Sequence, residues 1–72
     1  MERQIVKIDD EFIKLDSLLK FSGLCDTGGL AKSVIKDGLV KVNGEVETRR
    51  GKKLYPGDEI LFNDITVVIG EK

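Results

Sequence analysis

The amino-acid sequence predicts an α+β fold, with two short helices packed on a small, mostly antiparallel sheet. Three observations carry that expectation. Residues at helical spacing mark one face twice in succession, first Leu15, Leu18, Leu19 and Ser22, then Leu30, Ala31, Val34 and Ile35. The second pattern stops at Gly38 and gives way at once to alternation, with Val40 and Val42 facing one way and Lys41 the other. Asn43-Gly44 then supplies the dipeptide suited to a two-residue hairpin turn, whose two central residues both need positive φ.

In chain order, Gln4–Ile8 reads as a short strand of β-branched residues, broken by Asp9-Asp10-Glu11. That acidic triplet has no second ligand cluster to make a metal site and reads as a solvated turn. The first helix is expected at about Leu15–Ser22, with Lys14 at its start and Gly23 as its stop. Lys20 near its end complements the helix dipole and is also available to a partner. Cys25 follows in a short connector. With no histidine in the chain to act as its base, it reads as a small buried hydrophobe.

The second helix is expected from Gly29 to about Asp37, capped by Asp26 or Thr27. Lys32 and Lys36, four residues apart, lie opposite its apolar stripe. Gly28 and Gly29 admit two readings. Bare backbone lets an anion approach the free N–H groups of a helix start, or the glycines ease a tight loop between helices. Beyond the hairpin, Arg49, Arg50, Lys52 and Lys53 place four cations in five residues, interrupted by Gly51. The expectation is a mobile, strongly positive loop outside the core. Such a cluster suits phosphate through counterion release; as an alternative, it is an edge that discourages aggregation. Leu54–Asp58 reads as a turn centred on Pro56-Gly57. Glu59–Phe62 and Ile65–Ile69 read as strands joined at Asn63-Asp64, covering the hairpin.

Seventy-two residues, 40% of them apolar, suffice for one domain, taken as residues 1–72. No apolar run approaches the roughly 20 residues needed to cross a bilayer. Met1-Glu2-Arg3-Gln4 lacks a signal-peptide stretch, and one cysteine makes no internal disulfide. These features point to a reducing, cytoplasmic setting. Net charge is −1, yet it is unevenly spread. Residues 1–13 carry −2, residues 14–53 carry +4 and residues 54–72 carry −3. A positive middle between negative ends is the asymmetry expected where one face meets phosphates.

The order of these elements resembles a known family. Lys14-Leu15-Asp16, a helix, a capped second helix through Ala31-Lys32-Ser33-Val34-Ile35, then Gly38-x-Val40-x-Val42-Asn43-Gly44 and Pro56-Gly57-Asp58 are similar to the RNA-binding domain named after small-subunit ribosomal protein S-four, the alpha-L motif. The resemblance covers about residues 14–62. It is nearest to the small stand-alone bacterial versions, with Thr27-Gly28-Gly29 at the second helix and Glu45-x-x-x-Arg49-Arg50-Gly51-Lys52 after the hairpin. It implies binding of structured RNA, ribosomal or transfer RNA, through both helices and the adjoining loop. Carried over by position, Lys14 opens the first helix, Lys32 follows the alanine of the second, and Lys36, Lys41 and Asn43 fall at the junction with the hairpin. Many members have arginine directly after the serine or threonine that begins the second helix; this chain has Gly28, whose amide and that of Gly29 stand in its place.

The site residues expected to meet RNA are therefore Lys14, Lys20, Gly28, Gly29, Lys32, Lys36, Lys41, Asn43, Arg49, Arg50, Lys52 and Lys53. The chain is expected to act as a monomer with no cofactor, metal, membrane or small-molecule substrate. Catalysis lacks a defensible set of groups. The competing function is a protein-interaction adaptor that docks through the sheet edge or the acidic ends.

Overall fold

The computed structural model describes residues 2–72. The chain runs β1 (Glu2–Ile8), β2 (Ile13–Lys14), α1 (Leu15–Phe21), α2 (Gly28–Lys36), β3 (Lys41–Val42), β4 (Glu45–Val46), β5 (Lys53–Leu54), β6 (Glu59–Phe62) and β7 (Ile65–Glu71). Five strands form one sheet in the order β1-β7-β6-β3-β4, and β2 pairs with β5 in a separate two-stranded ribbon. The architecture is the expected one, two helices on a mostly antiparallel sheet.

Local chemistry explains the junctions. The Thr27 side chain accepts a hydrogen bond from the Leu30 amide at 3.1 Å, so Thr27 rather than Asp26 is the cap. Gly28 is consequently the first residue of α2, one earlier than expected. At the other end Gly38 takes φ 77, while its amide reaches Ile35 O at 3.0 Å and the Leu39 amide reaches Val34 O at 3.1 Å. This crossed pair satisfies carbonyls the helix leaves free and turns the chain straight into β3. Asn43 at φ 51 and Gly44 at φ 87 then form the hairpin turn. Lys41 pairs with Val46 and Val42 with Glu45 across it.

The core is aliphatic. Leu15, Leu18 and Leu19 of α1, with Ala31 and Ile35 of α2, lose all solvent contact against Val40, Leu54, Ile60 and Val67. Truncating any one of these leucines to alanine costs about 2–5 kcal/mol, a large share of the stability of so small a domain. Among the described residues no charged or polar side chain is buried. Val6, Val42, Ile60, Val67 and Ile69 belong to this core, so the intervening residues of their strands, Lys41 among them, occupy the opposite face of the sheet.

Two pairings depart from the sequence-based reading. β1 lies parallel to β7, with Glu2 opposite Ile65 and Ile8 opposite Glu71. Both strands also run beyond the bounds expected for them. In addition, Lys53 and Leu54 are not loop and turn. They pair antiparallel with Lys14 and Ile13, and Leu54 is fully buried. The cationic cluster masked a core residue directly behind it.

Candidate nucleic-acid interface

The start of α2 presents the Gly28 and Gly29 backbone to solvent; both residues are exposed. A Cβ built on Gly28 meets nothing within 4 Å, so neither packing nor a left-handed φ requires glycine there. Lys32 stands about one turn into the helix, and Lys36 one turn further. These two lysines share an open hollow with Thr48, Arg49, Arg50 and Gly51. Four cations from two separate stretches of chain thus face one concavity.

Main-chain hydrogen bonds tie the loop carrying the arginines to its neighbours. The Glu47 amide donates to Val40 O at 3.0 Å, and the Lys52 amide to Arg49 O at 3.2 Å. From the other side, the Leu15 amide donates to Lys52 O at 2.9 Å and the Asp16 amide to Arg50 O at 3.1 Å. The first-turn amides of α1, which a helix cannot satisfy internally, therefore bind the loop in place. These are main-chain bonds, which the side-chain composition does not disclose.

Charge on this loop is not uniform. The Arg49 guanidinium donates to both Glu47 carboxylate oxygens at 3.0 and 3.1 Å, and the Arg49 amide donates to the same group at 3.0 Å. These bonds hold the Glu47 carboxyl down at about 2. Arg49 is thus partly neutralised. Lys14, Lys20, Lys32, Lys36, Lys41, Arg50, Lys52 and Lys53 make no ion pair among the described residues, and neither Asp37 nor Glu45 pairs with any of them.

The remaining expected residues divide. Lys14 and Lys53 lie directly opposite each other in the β2–β5 ribbon. The Lys53 ammonium sits 4.9 Å above the Phe12 ring. Lys52 and Lys53 line a second hollow with Asn43, Glu45, Arg49 and Tyr55; it adjoins the first through Arg49. Lys20 lies in the last turn of α1, four residues beyond Asp16 on the same helix face. Lys41 lines neither hollow, and Asn43 lines the second with its side chain already bonded. Lys41 projects from the far face of the sheet, between Val46 and Leu61. The Asn43 side chain is committed to the fold: it donates to Asp58 Oδ1 at 3.1 Å and accepts from the Glu59 amide at 2.9 Å, fastening the hairpin to the turn before β6. Both residues fall in the strand and turn where backbone geometry, not proximity in sequence, decides direction.

Of the acidic residues near the cations in sequence, Asp37, Glu45 and Glu47, only Glu47 pairs with one of them among the described residues; sequence reasoning passed over Phe12, whose contact with Tyr55 at 6.0 Å crosses the whole motif. Cys25 is buried, and burial, with the Asp26 charge added, raises its thiol above the usual value. It has the character of a core residue.

Comparison with known proteins decides the family. The S4 domain family model matches residues 6–70. This chain belongs to the S4 domain family. Within it, the chain is 42% identical over 55 residues to the probable ribosome maturation protein RlbA of Bacillus subtilis, covering 76% of this chain and 78% of that protein. It is also 42% identical over 50 residues to the putative RNA-binding protein YbcJ of Escherichia coli, covering 69% and 71%. The solution structure of Escherichia coli YbcJ, described as revealing an alpha-L motif involved in RNA-binding, superposes with a TM-score of 0.66 at 33% identity, over 97% of this chain and 87% of that one. The S4 assignment and the alpha-L architecture agree with the order of elements read from the sequence.

Proposed function

We propose that this S4-domain chain binds folded RNA, ribosomal or transfer RNA, without catalysing a reaction on it, and that it works in the cytoplasm. The observation that carries this reading is the shared hollow of Lys32, Lys36, Arg49 and Arg50, beside the unobstructed Gly28 and Gly29 amides. Lys14, Lys52 and Lys53 extend the basic surface around the start of α1. Phosphate meets three kinds of donor here: lysine point charges, an arginine fork and helix-terminal amides. The names of the relatives, one a ribosome maturation protein and one an RNA-binding protein, support the same class of partner. A-form grooves give side chains little access to base edges, so contact with paired regions is with shape and phosphate. No helix of the described residues is long and apolar enough to cross a membrane.

Titrating fluorescently labelled ribosomal RNA fragments and transfer RNA across a salt series tests the reading. Four to six phosphate contacts give a log–log slope of roughly −3 to −5. Absent or salt-insensitive binding to both RNAs overturns it. A protein partner that survives nuclease and high salt would instead establish the adaptor function. Comparing the two RNAs under one condition ranks them as ligands.

A further inference from the structure

We propose that Tyr55 is the seat of one unpaired nucleobase, stacked on its exposed ring while the strand's phosphates follow Arg49, Lys52 and Lys53. This rests on the RNA-binding reading above and specifies what the RNA must offer.

Tyr55 is 43% exposed, and it is the exposed aromatic residue that borders Arg49, Lys52 and Lys53. It is nonetheless fixed. Its ring leans on Phe12 at 6.0 Å and 50°, and the Lys53 ammonium anchors Phe12 from 4.9 Å. Its amide donates to Asp58 Oδ2 at 2.8 Å, and the Asp58 amide returns a bond to Tyr55 O at 3.0 Å. Asp58 is itself fastened to the hairpin through Asn43. A ring held this way loses little freedom on taking a base, which is what a stacking platform requires.

The surroundings give the platform direction. Tyr55 borders a hollow of about 500 Å³ where Arg49, Lys52 and Lys53 meet Glu45, Glu47 and Asp58; Glu47 is already bonded to Arg49, and Asp58 to the Tyr55 amide and Asn43. Tyr55 also borders a second hollow, lined by Asp9, Asp10, Glu11 and Glu71 with Lys72 as its one cation among the described residues. The second hollow repels phosphates more strongly than the first, whose Lys52 and Lys53 make no ion pair among the described residues, so a strand approaching Tyr55 keeps its backbone on the lysine side and turns a base over the ring. Paired bases are already stacked in the A-form helix and hidden from it; a bulged or terminal base is not. Phe21 is more exposed, but its hollow, lined by Lys7, Asp9, Asp10, Phe12 and Lys72, includes none of Arg49, Lys52 and Lys53.

The experiment uses a short RNA hairpin, fully paired or with one bulged 2-aminopurine, at fixed ionic strength. The wild-type chain is expected to bind the bulged hairpin roughly tenfold more tightly. It should also quench both the 2-aminopurine emission and that of Tyr55, the sole tyrosine of a chain without tryptophan. Tyr55→Leu should lose the preference while keeping the affinity for the paired hairpin and its salt slope; Tyr55→Phe should retain the preference. Equal wild-type affinity for the two hairpins, or an undiminished preference in Tyr55→Leu, overturns the proposal and leaves RNA binding standing. Failure to bind either hairpin at low salt overturns both.

Discussion

Two hollows border Tyr55 and differ in charge. The one toward the loop balances Arg49, Lys52 and Lys53 against Glu45, Glu47 and Asp58; the one toward the chain ends sets Asp9, Asp10, Glu11 and Glu71 against Lys72. The basic surface is assembled from the middle of the sequence, where α2 and the loop after the hairpin come together. The acidic one forms because β1 and β7 lie side by side and bring the two ends into register. A net charge near zero therefore conceals a polarised molecule. Overall charge bears on solubility; the arrangement of charge decides which side a polyanion meets.

The comparison can be broken most severely at the scaffold separating these surfaces. Val42→Asp places a carboxylate in the core and is expected to cost several kcal/mol, enough to unfold the domain; circular dichroism and a thermal melt read this directly. Next in size, Lys32→Glu combined with Arg50→Glu reverses two cations of one hollow. RNA affinity should fall about 100-fold at low salt, and the salt slope should drop by roughly two, with the melting temperature nearly unchanged. Gly28→Glu comes third. Its side chain meets no obstruction, and an acid suits a helix start, so stability should hold or rise slightly while affinity falls roughly tenfold. Equal losses in melting and binding would make Gly28 a structural glycine.

The smallest effects come from the clasp in the loop. Arg49→Ala should weaken RNA binding less than Arg50→Ala, because Arg49 is already shared with Glu47. Glu47→Gln should strengthen binding about twofold to fivefold by releasing a positive charge. The carboxyl is held below its unfolded value, so its contribution to stability is present at neutral pH and is lost only as the pH falls toward about 2. With no histidine in the chain, RNA affinity should stay level between about pH 5.5 and 8 when measured at constant salt.

What was legible in the sequence is what adjacent residues decide. The stops at Gly23 and Gly38, the Asn43-Gly44 turn, the buried leucines of α1 and the alternation around Lys41 all follow from spacing and φ preference. The hidden features join distant parts of the chain. A two-residue pairing such as Ile13–Lys14 with Lys53–Leu54 is too short to show alternation, and its outward lysines read as loop. Parallel pairing of β1 with β7 leaves no local trace, since either strand would look the same beside another partner. The candidate site was legible in part: Lys32 with Lys36, and Arg49 with Arg50, are visible as pairs. That the two pairs share one hollow depends on the main-chain bonds from Leu15 and Asp16. Asn43 was visible as a turn former, but its hold on Asp58 was not.

The side-by-side terminal strands carry a consequence for how the molecule can change. Every group assigned here to phosphate or base lies between residues 14 and 55, whereas the strands at either extremity serve mainly to latch the fold. Durability and recognition are thus written in separate stretches of one short text. Heat resistance can be adjusted at the margins without rewriting the message in the middle.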